Sequence, residues 1–561
     1  MNKKKKLHIV ILCAASIIIL FPLLSPFFPS GMVDTYDGYL HQFRMAAFHT
    51  SVTEGIIPPR WSTQLAYGWG SPVLNFNWSL PYWLAEPFLF LNWTTTEAQK
   101  AVVLLSVLSL FFTMFLFLYV WLGIWSAITG ATLSVWALFY IYMLYISGSV
   151  GMQVGLIFWP LLFLSVIMAA RKQTVYAFLL GSISVALTML SHQIMFLIIQ
   201  PLFWSFAIFI HFTHKKQNVL RLMILSSIFG LGLSAYFWLP AIVEKEFINI
   251  ASTESNYQGN FLEPLVLLLQ PKLFELAGDF WWKRLYGVKL YGTGWPLLFV
   301  SFLSLVNLIP LLTKKALNNR RFIAGATGIF FIFFLAALFF ITPSSQRAWE
   351  IIPLLSSFIY PIRFQALALF SGSILAALFI YTVRHKAAFS IAFICLTIIL
   401  NYQAIPQKLE RINLPDEHYY SGDSTSDVAG EFLPLWTATS QWTRFPPARI
   451  VQGTGTIQKP EKKSASVSFT AVAATDIDVI INQLYFPGWR VETNGKAIPT
   501  TIASSGEIGV RLPIGTHVVN AVFLNTPIRT AGNMITIGTG LIMLFLSIFH
   551  IRKTKNSTVG T

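Results

Sequence analysis

The stretch Asp34-Thr-Tyr-Asp37-Gly-Tyr-Leu-His41-Gln-Phe-Arg44 carries the densest chemistry in the chain. Its polar residues are spaced three, four and three apart, which on a helix places Asp34, Asp37, His41 and Arg44 on one face. Two carboxylates, an imidazole and a guanidinium at a membrane surface can take a proton or bind a metal. Asp34 and Asp37 are the candidate metal ligands, and a hard divalent cation such as magnesium or manganese is the candidate ion. The same spacing also describes the solvated face of an amphipathic helix lying on a membrane.

Downstream, Gly55-Ile-Ile-Pro58-Pro59-Arg60-Trp61 and Tyr67-Gly68-Trp69-Gly70-Ser71-Pro72 combine residues that fix unusual backbone angles with tryptophans at home at an interface. Such a loop can present Arg60 to an anion, or it can be a structured rim with an aromatic belt. Three further polar spots adjoin apolar runs: His192-Gln193, Glu244-Lys245-Glu246 after Pro240, and Arg363 after Tyr360-Pro361, with Arg347 and Glu350 upstream. Ionisable groups near a membrane interior are costly and usually functional, although side chains at helix ends reach water by snorkelling. His192 fits a turn or packing role equally well, while the planar fork of Arg363 suits a phosphate. There is no P-loop, no G-x-G-x-x-G behind a strand, no H-E-x-x-H and no G-x-S-x-G, which argues against ATP use and against serine or metalloprotease chemistry.

The elements that must position these groups are membrane spans. Of 561 residues, 55% are hydrophobic and 11% charged, against roughly 25% charged in soluble domains. Apolar runs of roughly 20 residues, enough to cross a hydrocarbon core, recur from end to end. The net charge of +16 lies in short basic clusters between these runs, as the positive-inside rule writes topology, and not in one patch suited to nucleic acid. Cys13 and Cys395 both lie in apolar runs, which excludes a disulfide framework and zinc spacing.

About twelve spans are predicted, near residues 7–28, 101–122, 124–145, 151–170, 175–191, 194–212, 219–240, 292–313, 322–341, 365–383, 387–402 and 531–551. Residues 80–92, short and broken by Pro81 and Pro87, read as interfacial or re-entrant. Lys3–Lys6, Arg171-Lys172, His214-Lys215-Lys216, Lys314-Lys315 with Arg320-Arg321, Arg384-His385-Lys386 and Arg552-Lys553-Thr554-Lys555 mark the inside, so both termini are expected in the cytoplasm of a plasma membrane protein. Residues 29–100, 241–291, 342–364 and 403–529 then lie outside. From Ser464 the pattern turns to β alternation with Asn494-Gly495 as a hairpin turn, which predicts an antiparallel sandwich of roughly six to eight strands. The chain divides into a transmembrane domain over 1–402 with a large first outer loop (29–100), an extracytoplasmic β-rich domain over 403–529, and a last span with a basic tail over 530–561.

Several motifs, in their order and positions, resemble a known family. They are the D-x-x-x-H of Asp37 and His41, Gly55, Pro59-Arg60-Trp61, Gly68-x-Gly70-x-Pro72 and Pro361-Ile362-Arg363-Phe364. The C-terminal set is Tyr485-Phe486-Pro487-Gly488-Trp489, Asn494-Gly495-Lys496, Leu512-Pro513-x-Gly515-x-His517 and Thr526-Pro527-x-Arg529. The resemblance is to large bacterial and archaeal membrane proteins labelled 6-pyruvoyl-tetrahydropterin synthase-related, akin to the YfhO-like proteins and to the C-type (GT-C) glycosyltransferases. It implies a GT-C-like polytopic α-helical membrane fold. It also implies transfer of a sugar from a polyprenyl-phosphate donor, held in membrane lipid, to an extracytoplasmic glycan, lipid or protein acceptor. By position, Asp37 matches the acid that GT-C enzymes carry in the first outer loop, with Asp34 second. Asp37 would accept the proton of the acceptor hydroxyl, Arg60 and Arg363 would hold the phosphate, and His41 would orient Asp37 or bind acceptor. Arg44, His192, Glu244 and Arg347 complete the expected substrate contacts. Some GT-C enzymes need a divalent cation and others do not. The chain departs from the family at Asn75-Phe-Asn77-Trp78, where relatives often carry more aromatics.

Two other readings fit such a chain. A transporter or flippase for a lipid-linked sugar predicts inverted repeats and polar residues at mid-membrane. A non-catalytic assembly protein of cell-envelope polysaccharide would use the β-rich domain as its binding module.

Overall fold

The computed structural model describes residues 16–214, 218–253, 256–262, 292–312, 318–406, 408–427, 430–438 and 442–559. Lys3–Lys6, Cys13, Lys215, Lys216, Lys314, Lys315 and residues 263–291 of the second outer segment lie outside the described residues, as do the side chains of Arg552–Lys555.

Among the described residues, 7 helices are long and apolar enough to cross a membrane: Thr95–Leu122, Val150–Ala170, Thr174–Ser191, Gln193–Thr213, Arg320–Ile341, Pro361–Thr382 and Pro527–His550. Two bent pairs raise this to at most 9: Ile124–Trp136 with Leu138–Ser147 at 42°, and Val219–Leu233 with Ala235–Phe247 at 74°. Ser16–Phe27, Trp295–Ile309 and Lys386–Tyr402 are apolar but shorter. Together these helices fall on the twelve predicted spans, and among the described residues 7 to 9 of them reach the length of a full crossing. Leu80–Leu89 has 10 residues, too few to span. Pro81 sits in its first turn, where no hydrogen bond is lost. Val150–Ala170 and Pro361–Thr382 are apolar all round and buried along most of their length, so they form the centre of the bundle. The last helix, Pro527–His550, is exposed along most of its length.

Both bends have identifiable causes, since a break frees backbone groups that must find other partners. At the sharper one, the Tyr236 N–H donates to Thr536 Oγ1 at 2.9 Å, and that hydroxyl donates to the Gly232 carbonyl at 3.2 Å. The last helix thus satisfies the break. At the other, which falls at Ala137, the Trp136 carbonyl accepts from Asn401 Nδ2 at 2.6 Å; the second half of that pair ends in a π-helical turn, Met143–Ser147, whose Met143 carbonyl accepts from Gln153 Nε2 at 2.8 Å.

The β-rich part forms two antiparallel sheets. The first orders Ala448–Gln452, Ile477–Leu484, Glu507–Leu512 and Thr501–Ile502; the second orders Gly455–Lys463, Ser466–Ala473, Gly515–Phe523, Trp489–Thr493 and Lys496–Ile498. Alternate residues of both, among them Phe469, Ile481, Val510 and Val519, share one apolar core, as a sandwich requires. Asn494 and Gly495 join Trp489–Thr493 to Lys496–Ile498 with φ of 48° and 77°, the left-handed pair that a tight hairpin turn demands.

The segment of residues 29–100 packs into this sandwich. Trp61 and Trp69 belong to the sandwich core, which corrects the expectation of an interfacial belt. Trp61 Nε1 donates to Gln483 Oε1 at 3.0 Å, and Trp69 Nε1 donates to the Thr443 carbonyl at 2.8 Å. Gly70, at φ 82°, lies so close that an added Cβ would fall 2.5 Å from the Trp61 ring.

Candidate active site

A cavity of about 550 Å³ opens where the segment of residues 29–100, the start of the central helices and the C-terminal part meet. Its polar lining includes Asp37, His41, Arg44, Asn77, His192, Gln193, Lys245, Arg363 and Glu431. Much of the remaining wall is apolar, including Ile194, Leu197, Trp238, Ile242 and Leu354.

Asp37 is the residue that precedes the helix Gly38–Thr53. Its backbone N–H donates to the Ser147 carbonyl at 2.8 Å, and the Tyr36 N–H to Ile146 at 2.9 Å. A glycine allows this approach. Gly148 has φ 70°, and an added Cβ would collide with Thr35 and lie 2.9 Å from the Gly38 nitrogen. The π-helical turn and the helix start are therefore held backbone to backbone, and Asp37 with them.

One turn on, His41 Nδ1 pairs with the Tyr82 hydroxyl at 3.2 Å, and its ring lies 4.9 Å from Trp78. Asn77 Nδ2 donates to the same hydroxyl at 2.8 Å. With Asn77 donating to its oxygen, Tyr82 can give its own proton to His41 Nδ1, and the neutral imidazole then carries N–H at Nε2. Burial holds His41 well below the usual imidazole range, with Arg44 and His192 acting in the same direction. Nε2 finds no partner among the described residues. Arg44 donates to the Ser426 carbonyl and lies 5.6 Å from the Phe432 ring centre, so the C-terminal part fixes it.

His192 sits in extended backbone at the junction of two helices and stacks on Trp78 at 6.0 Å, with Nδ1 unpartnered among the described residues. Gly151 admits this Trp78, since a Cβ there would overlap the indole. Arg363 lies in the short 3-10 turn Pro361–Phe364, donates to the Phe358 carbonyl at 2.6 Å and lies 5.1 Å from the Tyr360 ring centre. The preceding Ile359 has φ 63°, a strained conformation for a β-branched residue.

Asp37 is half-buried, and burial raises its carboxyl above the ordinary value of 3.8, with Arg44 and Arg363 opposing and Glu431 adding to the rise. Arg44, Lys245 and Arg363 line the cavity together with Asp37 and Glu431. With both carboxylates ionised one positive charge is left over, which favours an anionic ligand.

The structure separates the expected site residues into two groups. Asp37, His41, Arg44, His192 and Arg363 line one cavity. Asp34 does not share their helical face, because the helix begins only at Gly38. It is exposed, and its N–H donates to the Glu410 carbonyl at 2.9 Å beside the strand pair of Met32–Val33 with Arg411–Ile412. Arg347 is exposed on the short helix Gln346–Ile351 and does not line the cavity. Arg60 and Glu244 are bound up elsewhere. Arg60 donates to Asn75 Oδ1 at 2.9 Å, to Asn533 Oδ1 at 2.8 Å and to the Tyr236 carbonyl at 3.0 Å. Glu244 accepts from Asn75 Nδ2 at 2.8 Å, Thr526 Oγ1 at 2.6 Å and Arg529 Nε at 2.9 Å. Asn75 thus joins the two in a buried network tying the segment of residues 29–100 to the last helix.

The carboxylates do not fit a resident divalent cation. Among the described residues no group of three His, Cys, Asp or Glu side chains comes together. Asp34 turns to solvent, and the charges nearest Asp37 include two guanidiniums.

Sequence reasoning did not single out Tyr82, Lys245, Glu431 or Phe432 as site residues. Lys245 sat inside the noted Glu244-Lys245-Glu246 triplet. Glu431 and Phe432 had no local signal, because only the folded chain brings them to Arg44.

No protein-family model matches the chain, and no curated protein matches it. Among solved structures it is similar to the arabinofuranosyltransferase AftD from Mycobacteria. In two structures of that protein the identity is 14%, the TM-scores are 0.39 and 0.38, and the match covers 71% and 77% of this chain. The chain spans 28% of the length of AftD. A third structure is ArnT from Cupriavidus metallidurans bound to undecaprenyl phosphate, with 11% identity, a TM-score of 0.28, and coverage of 69% of this chain and 78% of that one. Likenesses this distant carry no functional weight.

Proposed function

We propose that the chain is a polytopic membrane glycosyltransferase of GT-C type, working on the outer face, which transfers a sugar from a polyprenyl-phosphate donor to an extracytoplasmic acceptor. The observation that carries this reading is the single cavity shared by Asp37, His41, Arg44, His192 and Arg363. It joins a carboxylate, cations and an apolar wall in one space. That combination suits a donor with a phosphate head and a hydrocarbon tail.

Asp37 takes the proton of an acceptor hydroxyl as its oxygen bonds to the anomeric carbon. The bond from that carbon to the phosphate oxygen breaks, and the phosphate leaves with the electron pair. A phosphate is already a stable anion, so no general acid is needed. Arg363 and Lys245 hold it by charge-assisted hydrogen bonds. Arg44, fixed by Ser426, keeps Asp37 ionised despite burial. His41, neutral with N–H at Nε2, donates to an acceptor or sugar oxygen. Asp37→Asn preserves shape and removes the base, and a loss of about 100-fold to 10,000-fold in transfer is expected. Full activity in a folded Asp37→Asn protein contradicts the assignment.

A further inference from the structure

Four polar atoms of residues that line the Asp37 cavity are buried without a partner among the described residues: His41 Nε2, Arg44 Nε, His192 Nδ1 and Gln193 Oε1. A buried donor or acceptor left unpaired costs about 1–3 kcal/mol, and one cavity collects all four. The transfer reaction uses His41 and Arg44. It leaves His192 and Gln193, where Thr174–Ser191 meets Gln193–Thr213, without a role.

The junction is rigidly held. His192 is 5% exposed and has extended backbone between the two helices, at φ −170° and ψ 107°. Its N–H donates to the Thr188 carbonyl at 3.0 Å, and its carbonyl accepts from the Phe196 N–H at 3.1 Å. Trp78 stacks on the imidazole at 6.0 Å and on the Tyr82 ring at 5.7 Å. Gly151 lets these groups come together, because a Cβ there would lie 2.4 Å from the Trp78 indole and 2.7 Å from the Ser191 carbonyl. With backbone and ring both fixed, little ordering is left for a ligand to impose.

The chemistry of the unpaired atoms narrows what they meet. An amide and an imidazole offer uncharged donors and acceptors, which match hydroxyls, since each hydroxyl both donates and accepts. The charges of the cavity are already taken up. Arg44, Lys245 and Arg363 stand against Asp37 and Glu431, and the one positive charge left over matches the single negative charge of a phosphodiester. A carboxylate or an ammonium on the sugar would be buried without a counter-charge.

We propose, on the reading that this cavity takes a polyprenyl-phosphate donor, that His192 and Gln193 bind hydroxyls of the transferred sugar and select an uncharged one. Trp78 is a positioning residue that holds the imidazole.

Equilibrium binding of radiolabelled lipids to the full-length protein in micelles tests this without any transfer. The reference is polyprenyl methyl phosphate, a diester with the charge of the donor and no sugar. The probes are the same lipid phosphate carrying glucose, galactose, mannose or N-acetylglucosamine, and carrying glucuronate. At least one neutral glycosyl lipid should bind the wild type about tenfold more tightly than the reference, the scale of about one or two net hydrogen bonds. The glucuronyl lipid should show no such gain. His192→Phe keeps a ring against Trp78, and Gln193→Met keeps the length of the side chain; each should cut the gain about fivefold or more. The wild-type comparison needs no variant, and binding of the reference lipid reports that each variant is folded. No gain for any neutral sugar leaves these atoms to water and overturns the sugar contact, as does a gain that survives both substitutions. An equal gain for glucuronate overturns the selection of an uncharged sugar. A wild type that binds neither the reference nor any glycosyl lipid contradicts the donor reading itself, and the sugar contact with it.

Discussion

At Asp37, burial and charge pull in opposite directions. Burial disfavours the carboxylate, while Arg44 and Arg363 favour it, and the balance leaves a stronger base than an exposed aspartate. A base works ionised. Transfer should therefore fall as pH drops through a value above the ordinary 3.8 and level off above it. Asp37→Asn should remove that acid limb from the pH–rate profile; a limb that persists in the variant assigns it to another group. Tyr82 is the second test at this scale. Tyr82→Phe leaves the buried Asn77 donor unpaired and frees the His41 tautomer, so stability should drop by about 1–3 kcal/mol, read from thermal unfolding, together with slower transfer. Helical spacing made Asp37, His41 and Arg44 legible in the sequence, since that face is a property of the helix alone. Asp34 was misplaced because nothing in the spacing shows where the helix starts; pairing of Met32–Val33 with Arg411–Ile412 decides that from far along the chain.

Among the elements, the network of Arg60, Asn75, Glu244 and Arg529 does the joining. Glu244 and Arg529 are both buried, at 3% and 0% side-chain exposure. Removing one partner leaves an uncompensated buried charge, so Glu244→Ala should cost about 3–5 kcal/mol, seen as a lower midpoint of thermal unfolding in micelles. Glu244 precedes Lys245, and Asn75 stands two residues before Asn77, so the same variant should also weaken donor binding. Unchanged stability would mean the pair is not formed in the membrane. This use of Arg60 and Glu244 was hidden in the sequence because a charge beside an apolar run looks alike whether it meets a ligand or another side chain. The tryptophans misled for a related reason: Trp61 and Trp69 suit a membrane interface by composition, but the neighbouring sandwich offers them a core.

For the whole molecule, the membrane class was the most legible feature, because apolar length is written directly in the chain. The β-rich part was legible too, from alternation and the Asn494-Gly495 turn. The places of the apolar helices were legible as well, while which of them cross in full was not, since bent pairs and short apolar helices share the composition of full spans. If the Asp37 cavity faces outward, the sandwich packed on the first outer loop does as well. A cysteine introduced at exposed Lys496, with Cys13 and Cys395 replaced by serine, should react with a membrane-impermeant maleimide added to intact cells. Labelling only after lysis would reverse the orientation. The central claim is that this cavity transfers a sugar. The most direct measurement is transfer of radiolabelled sugar from a panel of polyprenyl-phosphate donors to membrane acceptors, comparing wild type with equally folded Asp37→Asn. Transfer by the wild type that is lost in the variant is the predicted result. No transfer from any donor, or transfer that survives the substitution, would contradict it.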